Sequence, residues 1–218
     1  MKRRPTALAA IALTAAAALT LSACGSDDDS PKENDKIAGA DTGGDTSASP
    51  TESAPASADR PKIELPSDLS YTFDWSKTGD QAKDAVLADT EQAIQAVDLA
   101  MVNQDALDEA YLYYYEGEAA ASAEELIKAY VKEKARVTGA YRYYNPSVNV
   151  SGKNQASLLY CEDQGKAYDM YLETGKVNKT QITKNSYVLY ITQLTKSDKG
   201  VWVTDKIQSQ RGSDKCQP

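Results

Sequence analysis

Every aromatic side chain in this 218-residue sequence lies beyond residue 70: fourteen tyrosines between Tyr71 and Tyr190, Phe73, Trp75 and Trp202. Only the part of the chain that carries them can close a core. Residues 25–61 are dominated by Ser, Asp, Ala, Thr, Gly and Pro, in runs such as Thr42-Gly43-Gly44-Asp45-Thr46-Ser47. Such a composition buries too little apolar surface to offset the entropy of ordering it. The chain therefore divides into a polar leading part and one domain of ordinary length, residues 62–218.

Composition then removes whole classes of chemistry. There is no histidine, which excludes Ser-His-Asp and Cys-His catalysis and histidine-ligated zinc, copper or haem. The net charge is −8 and the sequence pI about 4.7, unsuited to a main role in binding nucleic acid, whose phosphates require a basic surface. The charge is unevenly placed: residues 61–136 sum to −9 and residues 137–218 to +4. A solvated acidic helical face beside lysine-bearing strands accounts for that split, and an anion-binding face on the second half is the alternative.

The N-terminus has the form of an export signal. Lys2, Arg3 and Arg4 precede an apolar stretch over residues 7–21, short for a membrane span of about 20 residues and right for a signal core. It ends in Leu21-Ser22-Ala23-Cys24. This tetrapeptide resembles the lipobox of bacterial lipoproteins, in which the cysteine thiol receives diacylglycerol and the signal is cut just before it. The resemblance implies that residues 1–23 are a signal peptide and that Cys24 is the lipidated mature N-terminus. It further implies a membrane partner reached through the lipid on the extracytoplasmic face, where two or more acyl chains hold stably. Residues 24–61 then read as a disordered acidic tether, reaching roughly 30–35 Å as a flexible coil. Asp27-Asp28-Asp29 lacks the glycine and closing glutamate of a calcium loop and reads as solvated spacer. The alanine-rich signal and acidic tail resemble those of actinobacterial lipoproteins.

Within the domain the first half is helical in pattern. Thr78-Gly79-Asp80-Gln81 fits a helix start, and Val86, Thr90, Ala93, Val97, Ala100 and Met101 recur at helical spacing up to about Asn103. A short second helix follows Asp105, and Ser122-Ala123-Glu124-Glu125 predicts the start of a third. Beyond Gly139 the pattern becomes strand-like. Residues 141–150 read as a first strand or a broken pair, residues 155–162 and 166–174 as a hairpin turning at Asp163-Gln164-Gly165, and residues 186–195 and 200–208 as a second hairpin. The predicted fold class is α+β, with three N-terminal helices packed on a curved antiparallel sheet of about four to five strands. That order, with Val201-Trp202-Val203 on the last strand, resembles the cone-shaped fold of the nuclear-transport-factor and ketosteroid-isomerase superfamily. A cystatin-like arrangement is the nearest alternative.

Three cysteines become a pair once Cys24 is lipidated. Cys161 and Cys216 then read as a structural disulfide in an oxidising compartment, pinning the C-terminal tail to the sheet. They lack the C-x-x-C spacing of a redox centre.

No phosphate-binding loop, dinucleotide fingerprint, nucleophile elbow or S-x-x-K is present; no cofactor, metal ligand or catalytic residue is assigned. The resembling fold implies a pocket between helices and sheet that holds a small apolar ligand, with an acid and a tyrosine in its catalytic members. The candidate pocket residues are Asp169, Tyr171, Tyr190 and Trp202; Asp169 shares a strand face with Tyr171 and Ala167. The competing reading places Asp169 in solvent beside Lys166. The tyrosines are expected chiefly to fill a core short of phenylalanine, with Tyr113, Tyr114 and Tyr115 as candidates for exposure. The leading functional expectation is a non-enzymatic envelope lipoprotein that binds a small apolar ligand or an envelope protein. The alternative is an isomerase- or hydrolase-like enzyme using that pocket.

Overall fold

A computed structural model describes residues 59–218. The signal segment, Cys24 and nearly all of the expected tether lie outside the described residues.

Strand β1 (Leu69–Phe73) precedes three helices, α1 (Gln81–Asn103), α2 (Glu109–Tyr114) and α3 (Gly117–Glu133). These are followed by β2 (Ala135–Ser151), β3 (Gln155–Tyr171), the two-residue β4 (Val177–Asn178), β5 (Tyr187–Lys196) and β6 (Trp202–Arg211). One sheet runs β1-β2-β3-β5-β6, with β4 paired to β3. The α+β class and the helices-on-sheet order match the sequence reading. The sheet is mixed, however: β1 pairs parallel with β2, from Leu69 opposite Gly139 to Phe73 opposite Tyr143.

Asp80 caps α1, accepting hydrogen bonds from the Ala82 and Lys83 amides. The apolar stripe read from the sequence is buried along its length: Val86, Thr90, Ala93, Val97, Ala100 and Met101 all lie inside. The helix stops where Gln104 turns left-handed (φ 54°) and its side chain bonds the Ala135 carbonyl at 2.8 Å. The third helix begins at Gly117, five residues before the expected start. There the Glu116 amide bonds the Thr204 carbonyl at 3.0 Å, tying the turn to β6. Ser122 lies inside that helix, its hydroxyl bonded back to the Glu118 carbonyl.

The expected turn at 163–165 does not form. β3 runs on through it, and Asp163 instead accepts a hydrogen bond from the Gly165 amide at 2.7 Å within the strand. The register with β2 slips here, with Ala140 opposite Lys166 but Arg142 opposite Asp163, so the turn-forming tripeptide makes a bulge that bends the sheet. Gly139 faces the same distortion with φ 97°; a Cβ there would stand 2.2 Å from the Lys166 carbonyl oxygen. β5 keeps pace with β3 only as far as Asp163 opposite Tyr187. Beyond the bulge the two strands part, and β4 with the segment 179–186 fills the gap.

Helices cover one face of the sheet through two apolar clusters. One joins α1–α3 to Val137, Val201 and Val203 around Tyr111, Tyr114 and Tyr115; the other packs Val86, Leu87 and Ile94 on Tyr143, Leu158, Tyr160 and Trp202. Tyr114 and Tyr115 are buried and Tyr113 is half-buried, so the candidates for exposure belong to the core. With Phe73 the one phenylalanine, the interior is built mostly from phenol rings: Tyr71, Tyr141 and Tyr143 stack at 5.9–6.5 Å, and Tyr160 on Tyr190 at 5.2 Å. On the opposite face, Tyr144, Leu189 and the C-terminal turn enclose the Cys161–Cys216 disulfide, with Cα atoms 5.5 Å apart. The expected pairing is present. A 55-residue separation makes it worth about 4 kcal/mol in the chain-entropy account.

The domain's leading segment is also fixed. Arg60 reaches the buried Asp89 on α1, Nη1 to Oδ1 2.6 Å, while the other Asp89 oxygen accepts from the Trp202 amide at 2.8 Å. Among the described residues no helix is long and apolar enough to cross a membrane.

Candidate functional site: an acid- and tyrosine-lined cavity

Between α1, α3 and the sheet lies a cavity of about 710 Å³. Its inner wall carries Asp98 from α1, Glu162 from β3, and the rings of Tyr141, Tyr143, Tyr160 and Tyr190. Asp98 comes inside because it falls on the apolar stripe of α1, one turn after Ile94. Glu162 comes inside by strand alternation with Leu158 and Tyr160. Ala119 and Ala123 line the α3 side, where small side chains leave the space open. The rim is formed by Leu126, Arg211 and the segment 180–186.

The two inner acids are 8 % and 5 % exposed. Tyr71 donates to Asp98 Oδ2 at 2.6 Å. Tyr143 donates to Glu162 Oε1 at 2.8 Å and Gln164 to Oε2 at 2.5 Å. Burial, which penalises the charged form, pushes the Asp98 carboxyl up to about 7 against the Tyr71 hydrogen bond, and the Glu162 charge adds to the rise. Burial also raises Glu162, opposed by the hydrogen bonds of Tyr143, Gln164 and Tyr190. The phenols of Tyr141, Tyr143, Tyr160 and Tyr190 are pushed well above their ordinary value, first by burial and then by neighbouring charged groups. They are neutral donors at any working pH.

Of the residues singled out from the sequence, the structure brings two into this cavity. Asp169 lines it half-buried, accepting from the Tyr130 hydroxyl at 2.8 Å, and Tyr190 is part of the wall. Tyr171, at the end of β3, is 38 % exposed and lies outside. Trp202 is 1 % exposed in the second apolar cluster and is a core residue. Asp98 and Glu162 are not among the pocket residues expected from the sequence. Their signal was an acid on an apolar stripe in one case and on an inward strand face in the other. Among the described residues no group of three or more Cys, Asp or Glu is gathered to hold a metal ion.

Neither a protein-family model nor a curated protein matches the chain. Several solved structures align with part of the chain. A ketosteroid isomerase-like protein from Erwinia carotovora atroseptica aligns at 14 % identity and TM-score 0.43, over 62 % of this chain and 98 % of that one. The intermembrane space region of the chloroplast protein ARC6 aligns at 13 % and 0.42, over 59 % and 96 %. An NTF-2 like protein of unknown function from Shewanella oneidensis aligns at 15 % and 0.35, over 56 % and 97 %.

Proposed function

We propose that this chain is a lipoprotein of the cell envelope, anchored through Cys24 on the extracytoplasmic face of the membrane, whose domain captures a small molecule in the cavity between helices and sheet. The observation that carries the reading is the cavity itself. About 710 Å³ of space, walled by tyrosine rings and reached by two buried carboxyl groups, has the size and mixed lining of a small-ligand site. The anchor rests on Leu21-Ser22-Ala23-Cys24 and the charged and apolar stretch ahead of it.

Each half has its own test. Cys24→Ala should move the protein from the membrane fraction into the medium; retention at the membrane refutes the anchor. For the cavity, the neutral fluorophore N-phenyl-1-naphthylamine should brighten with the wild-type chain. Ala123→Phe, whose added ring has the cavity to enter, should cut that enhancement at least fivefold while the fold survives. Equal brightening by both refutes a ligand site here.

A second reading, an isomerase- or hydrolase-like enzyme working in the same cavity, is favoured by Asp98. A carboxyl titrating near neutrality beside a phenol at 2.6 Å is suited to move a proton. Turnover of a captured ligand, abolished by Asp98→Asn, would establish it over simple capture.

A further inference from the structure

Two buried aspartates on α1 are satisfied in different ways. Asp89, 3 % exposed, meets the Arg60 guanidinium at 2.6 Å. Asp98, further along the helix, is buried almost as deeply, yet among the described residues neither it nor Glu162 has a lysine or arginine within ion-pair distance. What lies in front of both is the cavity. A buried carboxylate without a cation is costly, and removing the cation partner of one is among the more destabilising changes known.

The charge around the cavity points the same way. Its charged lining is Asp98, Glu162 and Asp169 against Arg211 alone. Arg211 sits exposed at the rim, its Nη1 occupied by Gln164 Oε1 at 2.7 Å and the Asn185 carbonyl at 3.0 Å. Seven tyrosines, whose ring faces attract cations, stand among the remaining lining residues. Each acid already receives a phenol donor, Tyr71 for Asp98, Tyr143 for Glu162 and Tyr130 for Asp169. Each is thus arranged to accept hydrogen bonds.

We infer that the ligand is an organic cation, an ammonium group on an aromatic or aliphatic body, with Asp98 and Glu162 as its counter-ions and the tyrosine rings as its wall. This deepens the small-molecule reading and rests on it. Binding such a cation ionises both acids and displaces a proton from Asp98, so protons compete with the ligand. The groups that face Asp98 are Tyr71 on β1, Tyr115 before α3, Tyr130 on α3, Tyr141 and Tyr143 on β2 and Glu162 on β3; Tyr190, Gln164 and Arg211 face Glu162. The tyrosines, raised by burial, stay neutral, leaving Asp98 and Glu162 to set the pH response. With Asp98 titrating at about 7, affinity for a cation falls about tenfold from pH 8 to pH 6. A neutral ligand held by protonated acids as donors shows the opposite trend.

The test is calorimetry on the full chain with 2-phenylethylammonium and its uncharged counterpart 2-phenylethanol, at pH 6 and pH 8. The ammonium should bind at least tenfold tighter than the alcohol at pH 8 and lose about tenfold at pH 6. Asp98→Asn should remove most of that preference. Equal or tighter binding of the alcohol, or ammonium binding that does not weaken at pH 6, overturns the cation inference and leaves the cavity reading standing. Binding of neither probe while N-phenyl-1-naphthylamine still brightens overturns the cation inference alone; absence of all three overturns both. The wild-type comparison across pH decides the matter even where the variant folds poorly.

Discussion

Replacing Asp98 by asparagine should stabilise the protein at pH 8 and leave it nearly unchanged at pH 4. The carboxyl titrates at about 7 in the folded state against 3.8 ordinarily, because burial penalises its charge. An acid whose folded value is raised contributes its full stability below the unfolded value, and that contribution is lost as pH rises through the folded value. The window therefore runs from about pH 4 to pH 7 and levels off above. Each unit of displacement is worth about 1.4 kcal/mol, so the wild type loses on the order of 4 kcal/mol across it. Asparagine keeps an oxygen to accept from the Tyr71 hydroxyl and cannot ionise. Its advantage over wild type should grow by that amount between pH 4 and pH 8, about 8–16 °C in Tm for a domain of this size. Chemical denaturation followed by the fluorescence of Trp75 and Trp202 measures it, and taking the difference between variant and wild type cancels the other titrating groups. The Glu162 charge contributes to the displacement, so Glu162→Gln should shrink the Asp98 effect. A variant equally destabilised at every pH, or one whose disadvantage grows towards pH 8, would refute the claim that Asp98 is buried without a cation.

Arg60→Ala leaves Asp89 buried with the Trp202 amide as its remaining partner and should cost roughly 3 kcal/mol in denaturant titration; a loss under about 1 kcal/mol means the leading segment is not held to α1. Gly139→Ala forces a Cβ to within 2.2 Å of the Lys166 carbonyl oxygen at φ 97°. A loss of about 2 kcal/mol or more is expected by thermal unfolding, and wild-type stability would show that the bulge relaxes freely.

Local signals in the sequence reached the structure where they acted alone. The stripe from Val86 to Met101 became α1, the second hairpin became β5 and β6, and Cys161 met Cys216. What failed had a local signal overruled by distant partners. Asp163-Gln164-Gly165 has the chemistry of a turn, but β2 pairs on both sides of it and holds the strand open as a bulge. That turn would leave Glu162 at a strand end, whereas the continuous β3 sets it in mid-strand facing the cavity and carries Tyr171 outside. Leu69–Phe73 gives no hint of pairing with residues 139–143, about seventy positions away and parallel. Asp98 was legible in principle, since an acid on an otherwise apolar helical face needs either a partner or a cavity. Which of the two it had could be seen only once α1 lay on the sheet.

The parting of β3 and β5 beyond Asp163 separates the groups at the cavity floor from those at its entrance. Asp98 and Glu162 sit on α1 and the paired stretch of β3, while Thr180, Gln181 and Thr183 at the rim belong to a connection outside the strand pairing. The length and chemistry of residues 179–183 can therefore change at little cost in stability, widening or narrowing the entrance without moving the pair of acids beneath.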